Sequence, residues 1–371
     1  MAKVLYGVAG EGYGHSSRSE IIGRRLLEAG HEVRFAASGK SLSYLAPLFP
    51  GRVHEVFGLQ LVYCHGAVQT IKTIGQNIKE YRAGSSVNQR LFEMAKQFEP
   101  DLVISDFEPF CGWWAFRRRI PCVYIDHQHI LTLARLEGIP MGWGRLQTDC
   151  VVRAYHSFAQ CYVGINFFRV EVKTPRLVPV NPVVRRQVME LSPTYGDHIL
   201  VYVTDSRPET QQYLIQQFGP FCSYHFHIYG FHVEQEHGNC IFRKISTDGF
   251  LQDLSSCAGV IATAGFSLIS ECLYLKKRML LMPIKGQFEQ QVNAVYAERL
   301  GFARNVRRLE LDSLELFLKD IEREFPRDDR ILWPDNERFF SSLDHVLRSN
   351  RIYLGLNRTA AGRLCDRSLL S

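Results

Sequence analysis

The chain has 371 residues, a formal net charge of +6, and 46% hydrophobic against 22% charged residues. This balance describes a soluble, well-packed globular protein, and at this length two domains of ordinary size are expected. The modest positive charge suits an anionic ligand or a weak attraction to acidic lipid and does not by itself indicate nucleic acid. Ten cysteines are scattered without a CxxC pair or a His/Cys group at zinc spacing, so they read as buried free thiols in a reducing compartment. No stretch approaches the length of a membrane span, and the N-terminal apolar run is too short for a signal peptide. The expected location is cytoplasmic.

Residues 3 to 9 (KVLYGVA) form the short apolar run of a buried parallel strand. Gly10 to Arg18 follow as a glycine-rich loop, then a helix carrying Ile21, Ile22, Leu26 and Leu27, then a second strand from Glu32 to Ala37. The loop is neither a dinucleotide fingerprint, which needs G-x-G-x-x-G and an acid at the end of the second strand, nor a Walker loop. It places His15 at the carboxyl end of the first strand, where ligands bind in α/β domains. A capping or packing histidine is the alternative; the functional reading is the expectation.

A strand near Val53 to Leu59 and an amphipathic helix over about 68 to 98 come next. The strand Leu102 to Ile104 then delivers Asp106 and Glu108 to a strand end. Asp106 either orients a histidine base or caps the helix beginning near Phe110, and Glu108 reads as an exposed loop residue. Trp113 and Trp114 read first as core; with Arg117 to Arg119 they allow a membrane-docking face as a second reading. The strand Val123 to Ile125 ends in Asp126-His127-Gln128-His129. No third and fourth ligands stand nearby, so this is a polar strand end and no metal is expected. A helix over 145 to 160 and a strand from Cys161 to Ile165 precede the proline-rich passage Thr174 to Val183, read as the linker.

The α/β rhythm then restarts. Ile199 to Val203 is a strand, and Thr204, Ser206 and Arg207 are placed to cup a phosphate at the next helix start. Strands His225 to Tyr229 and Cys240 to Arg243 and a helix Phe250 to Ser256 lead to the strand Val260 to Ala262. The small-residue turn Thr263-Ala264-Gly265 opens a helix from Phe266 to Leu275, whose free N–H groups and dipole favour phosphate. Glu271 lies within reach of such a ligand. After the strand Met279 to Pro283, Gln287, Glu289, Gln290, Gln291 and Asn293 suit sugar hydroxyls. Helices Leu311 to Phe325 and Asn336 to Ser349 close the pattern, which divides into domains 1–178 and 179–350 and a basic tail 351–371.

GEGYGHSSRS (10 to 19), PDLVISDFEP (100 to 109), TAGFSLISECL (263 to 273) and QFEQQVNA (287 to 294) together resemble the two-domain GT-B glycosyltransferases, the superfamily of UDP-glycosyltransferases and MurG. The resemblance implies an α/β chain of two Rossmann-like doubly wound domains facing a central cleft. It also implies an inverting, metal-independent transfer of sugar from a nucleotide diphosphate donor, in the first place a UDP-sugar, to a hydroxyl of a lipid, glycan or small molecule. No cofactor beyond the donor and no nucleic-acid partner are implied, and a peripheral contact with the inner face of the membrane accompanies a lipid acceptor. His15 would be the base and Asp106 its partner acid. Gly12, Gly14 and Ser16 would face the acceptor or its diphosphate. Ala264, Gly265 and Ser267 would hold the donor diphosphate with Ser206 and Arg207. Glu271 would bind the ribose, Gln287, Gln290 and Gln291 the donor sugar, and Ile245 and Phe250 the base.

The chain departs from the pattern where Thr204-Asp205-Ser206-Arg207 replaces a glycine-rich turn, and where no histidine precedes Ala264-Gly265. A 2-epimerase of UDP-sugars on the same fold, or a non-catalytic nucleotide-sugar binder, are the competing functions.

Overall fold

The computed structural model of the chain describes residues 1–10, 12–58, 63–64, 67–68, 86–139, 142–155, 159–244 and 246–352. In chain order its first elements are β1 (Lys3–Val8), α1 (Tyr13–Glu28), β2 (Glu32–Ala37), α2 (Gly39–Leu48), β3 (Val53–Glu55), β4 (Tyr63–Cys64), β5 (Ala67–Val68), α3 (86–98), β6 (Leu102–Asp106), α4 (Pro109–Arg118), β7 (Cys122–Asp126), α5 (Gln128–Leu133), β8 (Ala134–Arg135), α6 (Trp143–Tyr155), β9 (Cys161–Ile165), β10 (Glu171–Val172) and β11 (Leu177–Val180). There follow α7 (Arg186–Met189), β12 (His198–Tyr202), α8 (Pro208–Phe218), β13 (His225–Tyr229), β14 (Gln235–His237), β15 (Cys240–Arg243), α9 (Thr247–Ser256), β16 (Gly259–Ala262), α10 (Phe266–Tyr274), β17 (Arg278–Leu281), α11 (Phe288–Arg299), β18 (Ala303–Asn305), α12 (Leu311–Ile321) and α13 (Asn336–Ser349).

Contacts divide the chain into two units. The first is built from Met1–Tyr63, Val68–Val183 and the stretch beginning at Asp335; the second comprises Cys64–Ala67 and Val184–Pro334. The first unit carries a seven-stranded sheet in the order β11-β9-β7-β6-β1-β2-β3, all parallel. Its central strands are largely apolar and buried along their length apart from Lys3 at the start of β1, as a sheet covered on both faces requires. Register places Val8 beside both Ala37 and Asp106, so the first strand-to-helix loop and Asp106 emerge at one edge.

The second unit repeats the plan in the order β14-β15-β13-β12-β16-β17-β18, with only β14 antiparallel. Its core includes Phe218 stacked on Phe226 at 4.1 Å, with Phe242 and Phe317 also fully buried. Each such ring contributes about 2–3 kcal/mol by leaving water.

Several elements differ from the sequence reading. The passage read as a linker supplies β11, which pairs with β9; Pro179 is tolerated because β11 is the edge strand. Of the amphipathic stretch 68 to 98, Val68 belongs to β5, 86–98 is helical, and 69–85 lies outside the described residues. Helix α9 begins three residues before Phe250, because the Ser246 hydroxyl accepts from Gly249 N at 3.1 Å and caps it.

The largest difference concerns α13, read as part of the second domain. Its start is tied to the first unit by Asp335 N donating to Pro182 O at 3.1 Å, and Arg25 of α1 lies over the Phe340 ring at 5.2 Å. The apolar stripe of an amphipathic helix shows that it packs, not on what. Phe339 is fully buried within this helix, so Phe339→Ala should cost about 3–5 kcal/mol. Amide hydrogen exchange is expected to report faster opening in β9 and β11, with 184–334 unchanged; faster exchange confined to 184–334 would assign α13 to the other unit.

Candidate functional site

In the first unit, β1 feeds the glycine-rich loop into α1. Gly10 is required by close packing, since a Cβ there would lie 2.5 Å from the Ser38 hydroxyl and 2.9 Å from its carbonyl oxygen. Gly12, the N-cap of α1, has φ +78°, a conformation that costs glycine little. Ser16 departs from its expected role. It is fully buried and its hydroxyl is 2.9 Å from that of Ser41, which donates to Ala9 O at 2.5 Å, so it fastens α1 to α2. Gly14 O accepts from Ser17 at 3.3 Å.

His15 and Asp106 are 91 positions apart and meet at 2.7 Å, Nδ1 to Oδ1. The Asp106 carboxylate is fully buried. Arg18 grips it with Nε on Oδ2 at 2.8 Å and Nη2 on Oδ1 at 2.5 Å, and Ser19 donates to Oδ2 at 3.3 Å. Burial alone would raise the Asp106 pKa; Arg18 first, then His15, overcome it and hold the carboxyl below its ordinary value. An ionised carboxylate only accepts, so Nδ1 of His15 donates to it, and in the neutral ring Nε2 is the nitrogen that holds the free lone pair. The His15 side chain is 13% exposed.

Asp106 does not cap α4. Glu108 does, accepting from Phe110 N at 2.9 Å and Cys111 N at 2.8 Å. Glu108 is therefore buried, contrary to the exposed-loop reading, and burial pushes its carboxyl up. The Ser105 hydroxyl ties both N and O of Glu108. Within this turn Phe107 sits at φ +53°, with its ring stacked on His15 at 6.4 Å.

The Asp126–His129 strand end is internal as well. Nδ1 of His129 is 2.8 Å from Asp126, and Nδ1 of His127 is 2.9 Å from Ile165 O. Both rings are buried.

In the second unit the turn after β16 opens α10, with Gly265 as N-cap and no acidic residue in the first turn. A Cβ on Gly265 would meet nothing within 4 Å, so this glycine faces open space. Asn293 donates to Ala264 O at 3.1 Å and fixes the turn from α11. Ser267 is half-buried on the first turn of α10.

Glu271 is 5% exposed and held by Arg185 in a two-pronged pair, Nε to Oε1 at 2.7 Å and Nη2 to Oε2 at 2.8 Å. Sequence reading missed Arg185. It stands at the start of α7, far from any motif, and no pattern in the chain links it to Glu271. Gln290 Oε1 accepts from Ile284 N at 2.9 Å; Gln291 is exposed, and Gln287 is the N-cap of α11.

Arg207 differs from expectation. Its guanidinium is bound to Asp205 at 2.7–2.8 Å, and hydrogen bonding from Arg207 brings the Asp205 carboxyl down to about 2. Ser206 is exposed beside it. Phe250 meets Tyr229 edge-on at 5.2 Å and Tyr202 at 5.8 Å, both at the carboxyl ends of their strands. Ile245 lies outside the described residues.

Beneath Phe250, Asp253 takes the Tyr229 hydroxyl at 2.6 Å and Arg243 at 3.1 Å, with His227 Nδ1 at 3.1 Å and His198 Nε2 on its backbone carbonyl at 3.0 Å. Among the described residues His198, His227 and Asp253 form a group with metal-ligand chemistry. Its carboxylate is already satisfied by a phenol and a guanidinium, which makes it a polar anchor for α9.

A family model described as "Glycosyl transferase family 1" matches residues 2–322. An uncharacterized glycosyltransferase of Methanosarcina acetivorans is 24% identical over 332 residues, covering 81% of this chain and 85% of its own. Among solved structures, the glycotransferase of kitacinnamycin has TM-score 0.61 at 14% identity, covering 95% of this chain and 96% of its own. MurG of Acinetobacter baumannii has TM-score 0.55 at 13% identity, with 95% and 96% covered. LpCGTa in complex with UDP has TM-score 0.60 at 12% identity, with 87% and 91% covered. These likenesses give the fold as GT-B, two Rossmann-like units.

Two outcomes follow from the ion pairs. Arg185→Met strands a buried carboxylate and should lower stability by about 3–5 kcal/mol, part of which Glu271→Gln restores; thermal melts of the single and double variants measure it, and an unchanged Tm for Arg185→Met would refute it. The folded pKa of Asp106 is depressed, so its pair contributes stability above the ordinary carboxyl range and loses it as pH falls through the folded value. In urea melts from about pH 7 down to about pH 3, Asp106→Asn should therefore be less stable at neutrality and lose less stability in acid than the wild type. Parallel curves would show that Asp106 does not titrate differently on unfolding.

Proposed function

The chain belongs to glycosyl transferase family 1 and is a glycosyltransferase; on that footing we propose that it moves a sugar from a UDP-sugar to an acceptor hydroxyl by an inverting, metal-independent single displacement. The observation that carries this reading is the His15–Asp106 pair at 2.7 Å, which leaves Nε2 of a part-exposed imidazole as a proton acceptor at the carboxyl edge of a parallel sheet. The acceptor O–H gives its proton to Nε2 while its oxygen forms the new bond to the anomeric carbon. The bond from that carbon to the diphosphate oxygen breaks, and its electron pair leaves with the nucleoside diphosphate.

The second unit supplies the donor site in this reading. The open N-terminus of α10 receives the leaving diphosphate through backbone N–H groups at Ala264 and Gly265 and the Ser267 hydroxyl, its dipole supplying positive charge. Glu271, oriented by Arg185, accepts from the ribose hydroxyls, and Phe250 stacks against the base. Gln287, Gln290 and Gln291 hold the donor sugar. UDP as the nucleotude's identity is supported by the likeness to a structure holding UDP, and a further neighbour holds thymidine diphosphate. Ser206 and Arg207 remain at the rim of this site, where Arg207 contributes only if it leaves Asp205.

The acceptor side is the first unit. There α4 exposes Trp113 and Phe116 at 41% and 60%, with Arg117 over the Trp113 ring at 4.9 Å; Trp114 is buried. We propose this face as a peripheral contact with anionic membrane, since exposed aromatic and arginine side chains suit an interfacial site. No helix among the described residues is long and apolar enough to cross a membrane.

His15→Ala should lower transfer by at least roughly 100-fold while UDP binding by calorimetry is unchanged; near-normal turnover would sink the base assignment. Trp113→Ala with Phe116→Ser should reduce co-sedimentation with phosphatidylserine vesicles several-fold at equal folding. Equal co-sedimentation would remove α4 from the account.

A further inference from the structure

The Asp106 carboxylate serves two ionisable partners, His15 and Arg18, besides the Ser19 hydroxyl, and the transfer chemistry proposed above gives a task to His15 alone. We propose that Arg18 is a positioning residue for the His15 base: it neutralises Asp106, so that the carboxylate orients the imidazole without locking it as imidazolium. The catalytic meaning of this rests on His15 acting as base; the electrostatic claim does not.

The geometry comes from helix periodicity. His15 and Arg18 are three apart on α1 and share a face, and β6 brings Asp106 to that face. Oδ1 of Asp106 takes both His15 Nδ1 at 2.7 Å and Arg18 Nη2 at 2.5 Å, while Nη2 and Nδ1 lie 3.2 Å apart. A guanidinium has no lone pair to accept the imidazole N–H and cannot donate to a protonated Nδ1. The two therefore meet through the oxygen they share.

An uncompensated carboxylate at this distance favours the charged form of a neighbouring base by about one to three pH units. That would fill Nε2 with a proton at neutral pH and abolish its use. A guanidinium 3.2 Å from the same ring nitrogen opposes this, and keeps the carboxylate in place as an orienting acceptor.

The surrounding groups do not cancel the effect. On α1, Ser19 adds a neutral donor to Oδ2. On β1, burial and then the Asp106 charge push the Tyr6 phenol up, so it remains uncharged. On β7, the Asp126 carboxylate acts on Arg18 in the same sense as Asp106 and helps keep it a cation. Phe107 covers the imidazole with an uncharged ring.

The test follows the His15 imidazole by NMR through a pH titration, its signal identified by loss in His15→Gln, alongside the pH dependence of kcat/KM. In Arg18→Met the titration midpoint should rise by about one pH unit and the acid limb of the rate should move with it, costing up to about tenfold on the acid side of the midpoint and recovering at higher pH. Arg18→Lys keeps a cation and should leave the midpoint near that of the wild type. A merely structural Arg18 would lower the rate at every pH with the midpoint in place, and that result overturns the proposal. Should Arg18→Met not fold, Arg18→Met/Asp106→Asn compared with Asp106→Asn carries the same test, because removing the cation should again raise the midpoint; no rise overturns it. A midpoint that moves while His15→Ala still turns over would leave Arg18's role standing and remove the base reading instead.

Discussion

A buried carboxylate must find partners or give up its charge, and Asp106 finds three of them on a single helix. Arg18, His15 and Ser19 all project from α1 onto the last residue of β6. Asp106 also returns its carbonyl to Ala9 N at 3.0 Å, so the glycine-rich loop is tied to the same residue by its backbone. The orientation of the His15 imidazole and the path of the loop thus depend on one residue, the first through its side chain and the second through its carbonyl. Removing it would leave a buried guanidinium without its counter-ion as well as a misdirected histidine.

The neighbouring acid makes this specialisation possible. Glu108 satisfies the free N–H groups at the start of α4, a task Asp106 would otherwise be placed to do. The price is a strained turn, with Phe107 in a left-handed conformation that a bulky residue adopts only when its surroundings over-determine it. Here the Ser105 hydroxyl bonds on both sides of Glu108 provide that constraint, and the Phe107 ring ends against His15.

The second unit follows the same principle with different chemistry. Asp253 is the buried acid that several elements answer to, collecting a phenol from β13 and a guanidinium from β15 on behalf of α9. It thereby sets Tyr229 against Phe250. Glu271 likewise is held by Arg185. In both units a buried acid is oriented by arginine, and orientation fixed in advance lowers the cost of binding or reaction.

Much was determined by the sequence alone. Apolar runs of four to six residues alternating with amphipathic stretches require a doubly wound sheet, and glycines after β1 mark where the backbone approaches something closely. The residue types at 15, 106 and 271 set what each side chain can donate or accept. Which partner each side chain takes was decided only in three dimensions. Strand register put Asp106 across from Val8, and so within reach of α1, although 91 positions separate it from His15. Burial then made charge compensation compulsory, which is why Arg18 and Arg185 matter: helical spacing puts Arg18 on the His15 face, but only the fold shows that it answers Asp106, and no spacing points to Arg185. The same reason explains α13, whose amphipathic pattern requires a partner surface but cannot specify it: a hydrophobic stripe is non-directional, and only the folded chain shows which unit it covers.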